Sequence, residues 1–590
     1  MLWLRLETLK IKLISGRATA YLRKDGSDES EKVVIVGGVG GGASAAARVR
    51  RLDEFAQITI FEKGPDVSFS NCALPYTFSD VIDQPDDVIL KTPMQFEQQY
   101  NIDVQVNTTV VAIDAQTKTV MIKRQGQVAT TIVPYDTLIL SPGARPILPA
   151  VIAGIDRPNV KTVCNVQDVR TIQAYLTEQH VHDVTIVGGG FIGLEMAENL
   201  QQAGYQITII EAAEHVLGTL DDEFAQLVHK ELYDHGVQVI LQEQVTAIDA
   251  TQVQLASGRA VTSQLVIVAI GVTPVTELAV QAGCALGVTG GIKVDHRYQT
   301  SVADIYAVGD AIEVTNRLTR QSTRLALAFP AQMQARHMVD HLYGRTPQYQ
   351  GVIGSQVLHV FTLNVASTGL NATECEHQQL DYRFATVAPQ NRVSVMPGTT
   401  AVFLKLIFSY PTGEILGAQA IGQSDVDKTI DIIASLITMH GRVSDLTDVE
   451  LCYSPWVSTA KNVVNMVGLV AENVLNDEFK QVAVTQVRQL VLAGAFIIDA
   501  REPQEYADGH IKGAHNIPLS QFRQRLVEIP TNQPVYIHCQ TGQRSYNMVR
   551  ALLQRGYTNV VNIAGSYAEL VQYEYFNDQT TGRTSILTRT

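Results

Sequence analysis

Val33-Val34-Ile35-Val36-Gly37-Gly38-Val39-Gly40-Gly41-Gly42-Ala43 is the stretch that decides the fold. Its first four residues are branched and apolar, as in a buried strand. The glycines make a tight turn, and residues 44–52 read as a helix. Strand, glycine turn and helix together place a dinucleotide pyrophosphate at the helix N-terminus, where backbone N–H groups have no partner. The next strand, residues 58–61, ends in Glu62, 25 residues after Gly37 and placed to bond a ribose hydroxyl. One departure is visible. A strict G-x-G-x-x-G pattern needs glycine at position 39, which is Val39. The expected contacts to this first dinucleotide are Gly37, Gly38, Gly42, Ala43, Glu62 and Lys63.

Further along, Asp183-Val184-Thr185-Ile186-Val187 runs into Gly188-Gly189-Gly190-Phe191-Ile192-Gly193. Here Gly188, Gly190 and Gly193 fill all three places. A helix over 194–203 and a strand over 206–210 lead to Glu211. Its carboxylate is expected to bond a ribose 2′-hydroxyl and to repel a 2′-phosphate, favouring NADH over NADPH. Phe191 stands inside the turn, either as packing or as a ring that covers a flavin until nicotinamide arrives. The turns lie 151 residues apart, so the chain binds two dinucleotides. Two further small-residue turns let backbone approach a cofactor: Ser141-Pro142-Gly143 after the strand 135–140, and Gly271 after the strand 265–270.

Between these turns lies Ser68-Phe69-Ser70-Asn71-Cys72-Ala73-Leu74-Pro75-Tyr76. Cys72 is followed by an apolar run that could open a helix, and a helix N-terminus favours a thiolate. The alternative is a buried structural cysteine. Arg48, Arg50 and Arg51 on the first helix read either as a solvated face or as a phosphate clamp over Cys72, since guanidinium matches phosphate geometry.

Composition narrows the classes. The 590 residues suggest three or four domains, and 46% hydrophobic content supports ordinary cores. A net charge of -14 argues against a nucleic-acid surface. Six scattered cysteines fit neither a disulfide framework nor a zinc site, so no metal is expected and the compartment reads as cytoplasmic. No apolar run is long enough to span a membrane. Residues 1–30, with six basic residues and a polar end, read as an N-terminal extension.

The run Thr300-Ser301-Val302-Ala303-Asp304-Ile305-Tyr306-Ala307-Val308-Gly309-Asp310-Ala311 resembles the second FAD-binding motif of the pyridine nucleotide–disulfide oxidoreductase family. The resemblance implies that Gly309 and Asp310 hold FAD, with Asp310 on the ribityl chain. It assigns the first turn to FAD and the second to NAD(P)H, with electrons passing from nicotinamide through flavin to an adduct at Cys72. Dithiol members of the family carry C-x4-C here; this chain has Val67 and Thr77 at the two partner positions. A single-cysteine enzyme uses a mixed disulfide, a persulfide or a sulfenic acid instead. The segment 68–76 is most similar to the coenzyme A–disulfide reductase branch, which implies that Arg51, Ser68 and Asn71, with Arg50 beside them, contact coenzyme A. Two family tyrosines are absent: Val395-Met396-Pro397-Gly398 replaces Y-Y-P-G, and Ser454-Pro455-Trp456-Val457-Ser458 replaces P-P-Y-S. That departure weighs against coenzyme A disulfide itself and points to a smaller or different acceptor.

Near the C-terminus, Phe496-Ile497-Ile498-Asp499-Ala500-Arg501-Glu502-Pro503, residues 509–518, and Val535-Tyr536-Ile537-His538-Cys539-Gln540-Thr541-Gly542-Gln543-Arg544-Ser545 together resemble a rhodanese domain. A cysteine at a strand end, in a loop that opens a helix, faces backbone N–H donors that favour thiolate and persulfide. The spacing Cys539 to Arg544 is C-x4-R, one residue shorter than the phosphatase loop, and suits sulfane sulfur. Cys539 and Arg544 join Cys72 as the expected catalytic residues.

The expected fold is α/β with two Rossmann-like domains, an α+β dimerisation domain and a rhodanese domain. Residues 31–145 and 285–340 are expected to bind FAD, 146–284 NAD(P)H; 341–470 should dimerise, 471–484 link, and 485–580 form the rhodanese domain. The resemblance implies a homodimeric flavoenzyme, like coenzyme A–disulfide reductases fused to rhodanese and NADH-dependent persulfide reductases. Its expected acceptor is a small disulfide, persulfide or polysulfide. The competing reading is an NADH oxidase or peroxidase that cycles Cys72 through sulfenic acid.

Overall fold

The computed structural model describes residues 30–347 and 350–588, so the expected N-terminal extension lies outside the described residues except for Ser30. Two compact units form. One takes the chain up to Ile147 with Val163–Ala174 and Gly271–Val352; the other takes Leu148–Thr162, Tyr175–Ile270 and the chain from Ile353 onward.

In the first unit, five strands make one parallel sheet in the order Ile305–Ala307, Thr137–Leu140, Lys32–Val36, Gln57–Phe61, Asp103–Gln105. Val33, Ile35, Leu138 and Ile139 are fully buried, which is why these strands read as unbroken apolar runs. The glycine helix spans Gly40–Leu52, four residues earlier than expected, with Gly40–Gly42 as its first turn. Chain return to this unit falls at Gly271, not at 285, because Val272–Pro274 pairs antiparallel with Ala144–Pro146. The run after Cys72 does not open an α-helix. It makes two 3₁₀ turns, Asn71–Ala73 and Pro75–Phe78. Pro75 has no N–H for an α-helical bond, so Leu74 N–H closes the tighter bond to Asn71 O at 3.2 Å.

In the second unit, a parallel sheet runs Gln238–Ile240, Gln206–Ile210, Asp183–Val187, Leu265–Val268, Val160–Lys161. A five-stranded antiparallel sheet follows, in the order Gln356–Val360, Leu363–Gly369, Ile415–Gly422, Val402–Ser409, Tyr382–Val387. The last sheet is parallel: Lys480–Val482, Val560–Ile563, Val535–His538, Phe496–Asp499, His515–Asn516. Its edge strand Lys480–Val482 comes from the segment expected as a linker. A bridge between Ile511 and Leu587 holds the chain beyond 580 as well. Among the described residues, no helix is long and apolar enough to cross a membrane.

One strand and two helices meet in this unit at a buried cluster of charge. Lys405 Nζ, on Val402–Ser409, lies 2.7 Å from Asp221 and 2.5 Å from Glu223 at the start of the helix Asp222–Asp234. Glu569, on the helix Ser566–Thr580, is fully buried beside them. Burial and the Glu223 charge raise its carboxyl from near 4.5 to about 8. Folding therefore takes up a proton on Glu569, and the stabilisation of the protonated form is lost as pH rises through that value. Glu569→Gln is expected to remove this pH slope. The stability of the variant relative to wild type should rise between about pH 4.5 and about pH 8 and level off above that, read from paired thermal melts.

Candidate active site

The first glycine turn is built by close approach. Gly37 has φ +94° and donates to Phe61 O at 2.9 Å; a Cβ on it would lie 2.2 Å from Ser141 O. A Cβ on Gly42 would lie 1.8 Å from Gly37 O, so the turn closes only with glycine there. At Gly40 nothing stands within 4 Å, which leaves an open cradle at the helix N-terminus. Glu62 is buried, and its two oxygens accept from Gly38 N–H and Gly64 N–H at 2.9 Å each. Each oxygen keeps a further lone pair for a ribose hydroxyl. Lys63 is exposed beside it and lines a basic hollow of about 700 Å³ with Lys123 and Arg124. Ser141 Oγ lies 2.7 Å from where a Cβ of Gly41 would stand, and Gly143 is open with φ +70°. Gly309 N–H donates to Gln334 Oε1 at 2.8 Å. Asp310 lines a second cavity, of about 430 Å³, where burial raises its carboxyl to about 6. The open cradle, the carboxylate beside it and the cavity at Asp310 suit FAD.

The second turn repeats these bonds. Gly188, at φ +108°, donates to Ile210 O at 2.9 Å, and a Cβ on Gly193 would lie 2.1 Å from Gly188 O. Glu211 accepts from Gly189 N–H at 2.7 Å and from Ala213 N–H at 2.8 Å. Nothing stands within 4 Å of a Cβ on Gly190, so its cradle is open too. Val39 holds the matching place in the first turn, half-buried. Phe191, also half-buried, is the first residue of the helix Phe191–Gln202. Gly271, at φ +107°, accepts from Ile147 N–H at 3.0 Å.

Cys72 is exposed on its 3₁₀ turn. Its segment is stitched to the first glycine turn: Ser68, at φ +50°, donates to Gly38 O at 3.0 Å. Leu90 N–H donates to Ser68 O and Ser70 N–H to Val88 O. Arg170, unremarked in the sequence, bridges Asp66 at 2.9 Å and Asp86 at 2.6 Å on either side of the segment. Asn71 and Arg51 are exposed.

Arg50 does not join the expected clamp. It is 6% exposed, and its guanidinium donates to the carbonyls of Tyr100, Asp53, Glu54, Ala56 and Asn101, which closes the end of its own helix. Arg48 is likewise buried, against Asp340. Neither reading of these two arginines, solvated face or clamp, holds. Of the three, Arg51 alone is exposed.

Cys539 ends the strand Val535–His538 and is 1% exposed. Gly542 N–H points at its Sγ at 3.1 Å, and its own N–H donates to Ser566 Oγ at 3.3 Å. Arg544 makes two bonds to Glu505, at 2.6 and 2.7 Å, and holds the Glu505 carboxyl down at about 2. Glu505 and Ser566 are positioning groups that sequence reading missed. Glu505 carried one local sign, the E-P-x-E cap in which its side chain accepts from Glu502 N–H. Ser566 carried none.

Three family models match the chain: pyridine nucleotide-disulphide oxidoreductase over residues 31–335, its dimerisation domain over 356–463, and a rhodanese-like domain over 483–572. A coenzyme A disulfide reductase of Staphylococcus haemolyticus is 31% identical over 443 residues, covering 75% of this chain and 99% of that protein. The crystal structure of reduced Bacillus anthracis CoADR-RHD matches with TM-score 0.89 at 41% identity, covering 92% of this chain and 98% of that one. A NAD-dependent persulfide reductase from A. fulgidus matches with TM-score 0.87 at 31% identity, covering 91% and 99%. With its paired glycine turns, its exposed Cys72 beside the first of them and its rhodanese-like loop, the chain belongs to the pyridine nucleotide-disulphide oxidoreductase family, as an FAD-dependent oxidoreductase that takes a nicotinamide cofactor.

Proposed function

We propose that the protein uses NADH to reduce a disulfide, persulfide or polysulfide carried by a coenzyme A-type acceptor, with Cys72 as the attacking sulfur and Cys539 as the handler of sulfane sulfur. The observation that carries this reading is the exposed Cys72 on a segment bonded through Ser68 N–H to the first glycine turn. When bound, FAD and the nicotinamide cofactor supply the two electrons. Cys72 attacks one sulfur of R–S–S–R′, forms a new S–S bond and expels R′S⁻. Overall, NADH and a proton convert R–S–S–R′ to RSH and R′SH; with a persulfide the second product is hydrogen sulfide. Arg51, Ser68 and Asn71 would hold the acceptor. Gly37, Gly38, Gly42, Ala43, Glu62, Lys63, Ser141, Gly143, Gly309 and Asp310 would hold FAD. Gly188, Gly190, Phe191, Gly193, Glu211 and Gly271 would serve the nicotinamide cofactor. A homodimer in the cytoplasm is the expected form.

Glu211 supports NADH over NADPH, because a carboxylate at that place bonds a 2′-hydroxyl and repels a 2′-phosphate. Glu211→Ala should lower kcat/KM with NADH about tenfold or more and leave NADPH less affected. Steady-state kinetics with both coenzymes check this.

The function is tested by anaerobic NADH oxidation with coenzyme A persulfide and coenzyme A disulfide offered separately. Turnover with the persulfide supports the reading and fits the missing tyrosines. Turnover only on admission of air replaces it with the oxidase reading, in which Cys72 becomes a sulfenic acid.

A further inference from the structure

The helix Ser566–Thr580 touches two sites. Its first residues hold the Cys539 loop: Cys539 N–H donates to Ser566 Oγ, Tyr567 N–H to Cys539 O at 3.1 Å, and Ala568 N–H to Gln540 O at 3.0 Å. Two turns on, the same helix lies along Asp222–Asp234. There Tyr573 OH donates to Asp222 Oδ2 at 3.0 Å, and Gln226 Nε2 donates to Asp222 Oδ1 at 2.9 Å.

The chain of bonds continues inward. His229 Nδ1 lies 3.1 Å from Gln226 Oε1, and Val216 N–H donates to His229 Nε2 at 3.1 Å. The next N–H, that of Leu217, donates to Gly189 O at 2.9 Å, inside the second glycine turn. These partners assign His229 one neutral tautomer, with Nδ1 donating and Nε2 accepting. Burial lowers its pKa to about 3, so it keeps that form at neutral pH. Phe576, from the rhodanese-side helix, packs against its ring at a centroid distance of 4.9 Å. A continuous set of hydrogen bonds thus runs from the dinucleotide turn to the helix that holds Cys539.

We propose that the helix Ser566–Thr580 couples the glycine turn 188–193 to the Cys539 loop, so that a nicotinamide dinucleotide bound at that turn changes the reactivity of the Cys539 thiol. This rests on the reading that the turn binds the dinucleotide. The coupling acts in both directions: modification of Cys539 also changes dinucleotide affinity, by a factor of its own, since equality of factors holds for binding equilibria and not for a rate. Tyr573 and Gln226 act as positioning residues on this path.

The test uses the holoenzyme with NAD+, which binds without reducing the flavin. Alkylation of Cys539 by iodoacetamide is followed by peptide mass spectrometry with and without saturating NAD+, and NAD+ affinity is measured calorimetrically before and after alkylation. Rate and affinity should each change about 5-fold or more. In Tyr573→Phe and Gln226→Met, NAD+ should still bind and the change should shrink towards none. Equal alkylation rates in wild type with and without bound NAD+ overturn the proposal. A full effect retained in both variants overturns it too. Absence of NAD+ binding overturns the dinucleotide assignment of the turn, and the proposal with it.

Discussion

Cys72→Ser is expected to fold and retain FAD yet lose NADH-dependent reduction of disulfide and persulfide acceptors by on the order of 10⁴-fold or more. A hydroxyl is isosteric enough to keep the turn Asn71–Ala73, which is closed by the backbone bonds Ala73 N–H to Ser70 O and Leu74 N–H to Asn71 O. It cannot form the S–S bond through which the acceptor is held. None of the bonds from Ser68 and Ser70 that tie the segment to its surroundings uses the sulfur, so the visible flavin spectrum and the melting temperature should match wild type. Anaerobic turnover with each acceptor, beside the spectrum, reads both halves of this expectation. Substantial remaining turnover would move the chemistry away from Cys72.

Lys405→Met is expected to destabilise the second unit by about 3–5 kcal/mol, the largest stability effect among the substitutions considered. Burial pushes the Lys405 ammonium down, but Glu223 and Asp221 outweigh it and hold it above its usual range. Removing the ammonium leaves Asp221 and Glu223, each 5% exposed, without the cation between them. Breaking a buried pair on one side costs more than replacing both sides, so adding Glu223→Gln to Lys405→Met should recover part of the loss. Urea unfolding of the single and double variants measures it. An unchanged midpoint in the single variant would contradict the assignment of this cluster as a structural joint.

The glycine turns were legible because their requirement is local. Glycine is needed where a Cβ would meet a carbonyl within about 2 Å, as at Gly37, Gly42 and Gly193, and that need is written in consecutive residues. The departure at Val39 was visible in the sequence, and the structure supplies its reason: the matching Gly190 faces open space, where a side chain is tolerated. The rhodanese loop was legible for the same reason. What sequence reading missed lies in contacts between distant residues. Arg50 read as a solvated face or a phosphate clamp, but Tyr100 and Asn101 bring carbonyls to it from about fifty residues away. Glu505 meets Arg544 across 39 residues, and Tyr573 meets Asp222 across 351. The apolar run after Cys72 makes 3₁₀ turns and not the expected α-helix, for a reason that is itself local, the missing N–H of Pro75.

The central claim is that Cys72 carries the acceptor as a covalent sulfur adduct that NADH then clears. Its most direct measurement is peptide mass spectrometry of the protein, with Cys72 as the free thiol and the flavin oxidised, after brief anaerobic exposure to coenzyme A disulfide or persulfide, before and after one equivalent of NADH. The account predicts an adduct on the Cys72 peptide that disappears when NADH is added. An adduct that persists with NADH present, or that forms only at other cysteines, would contradict it.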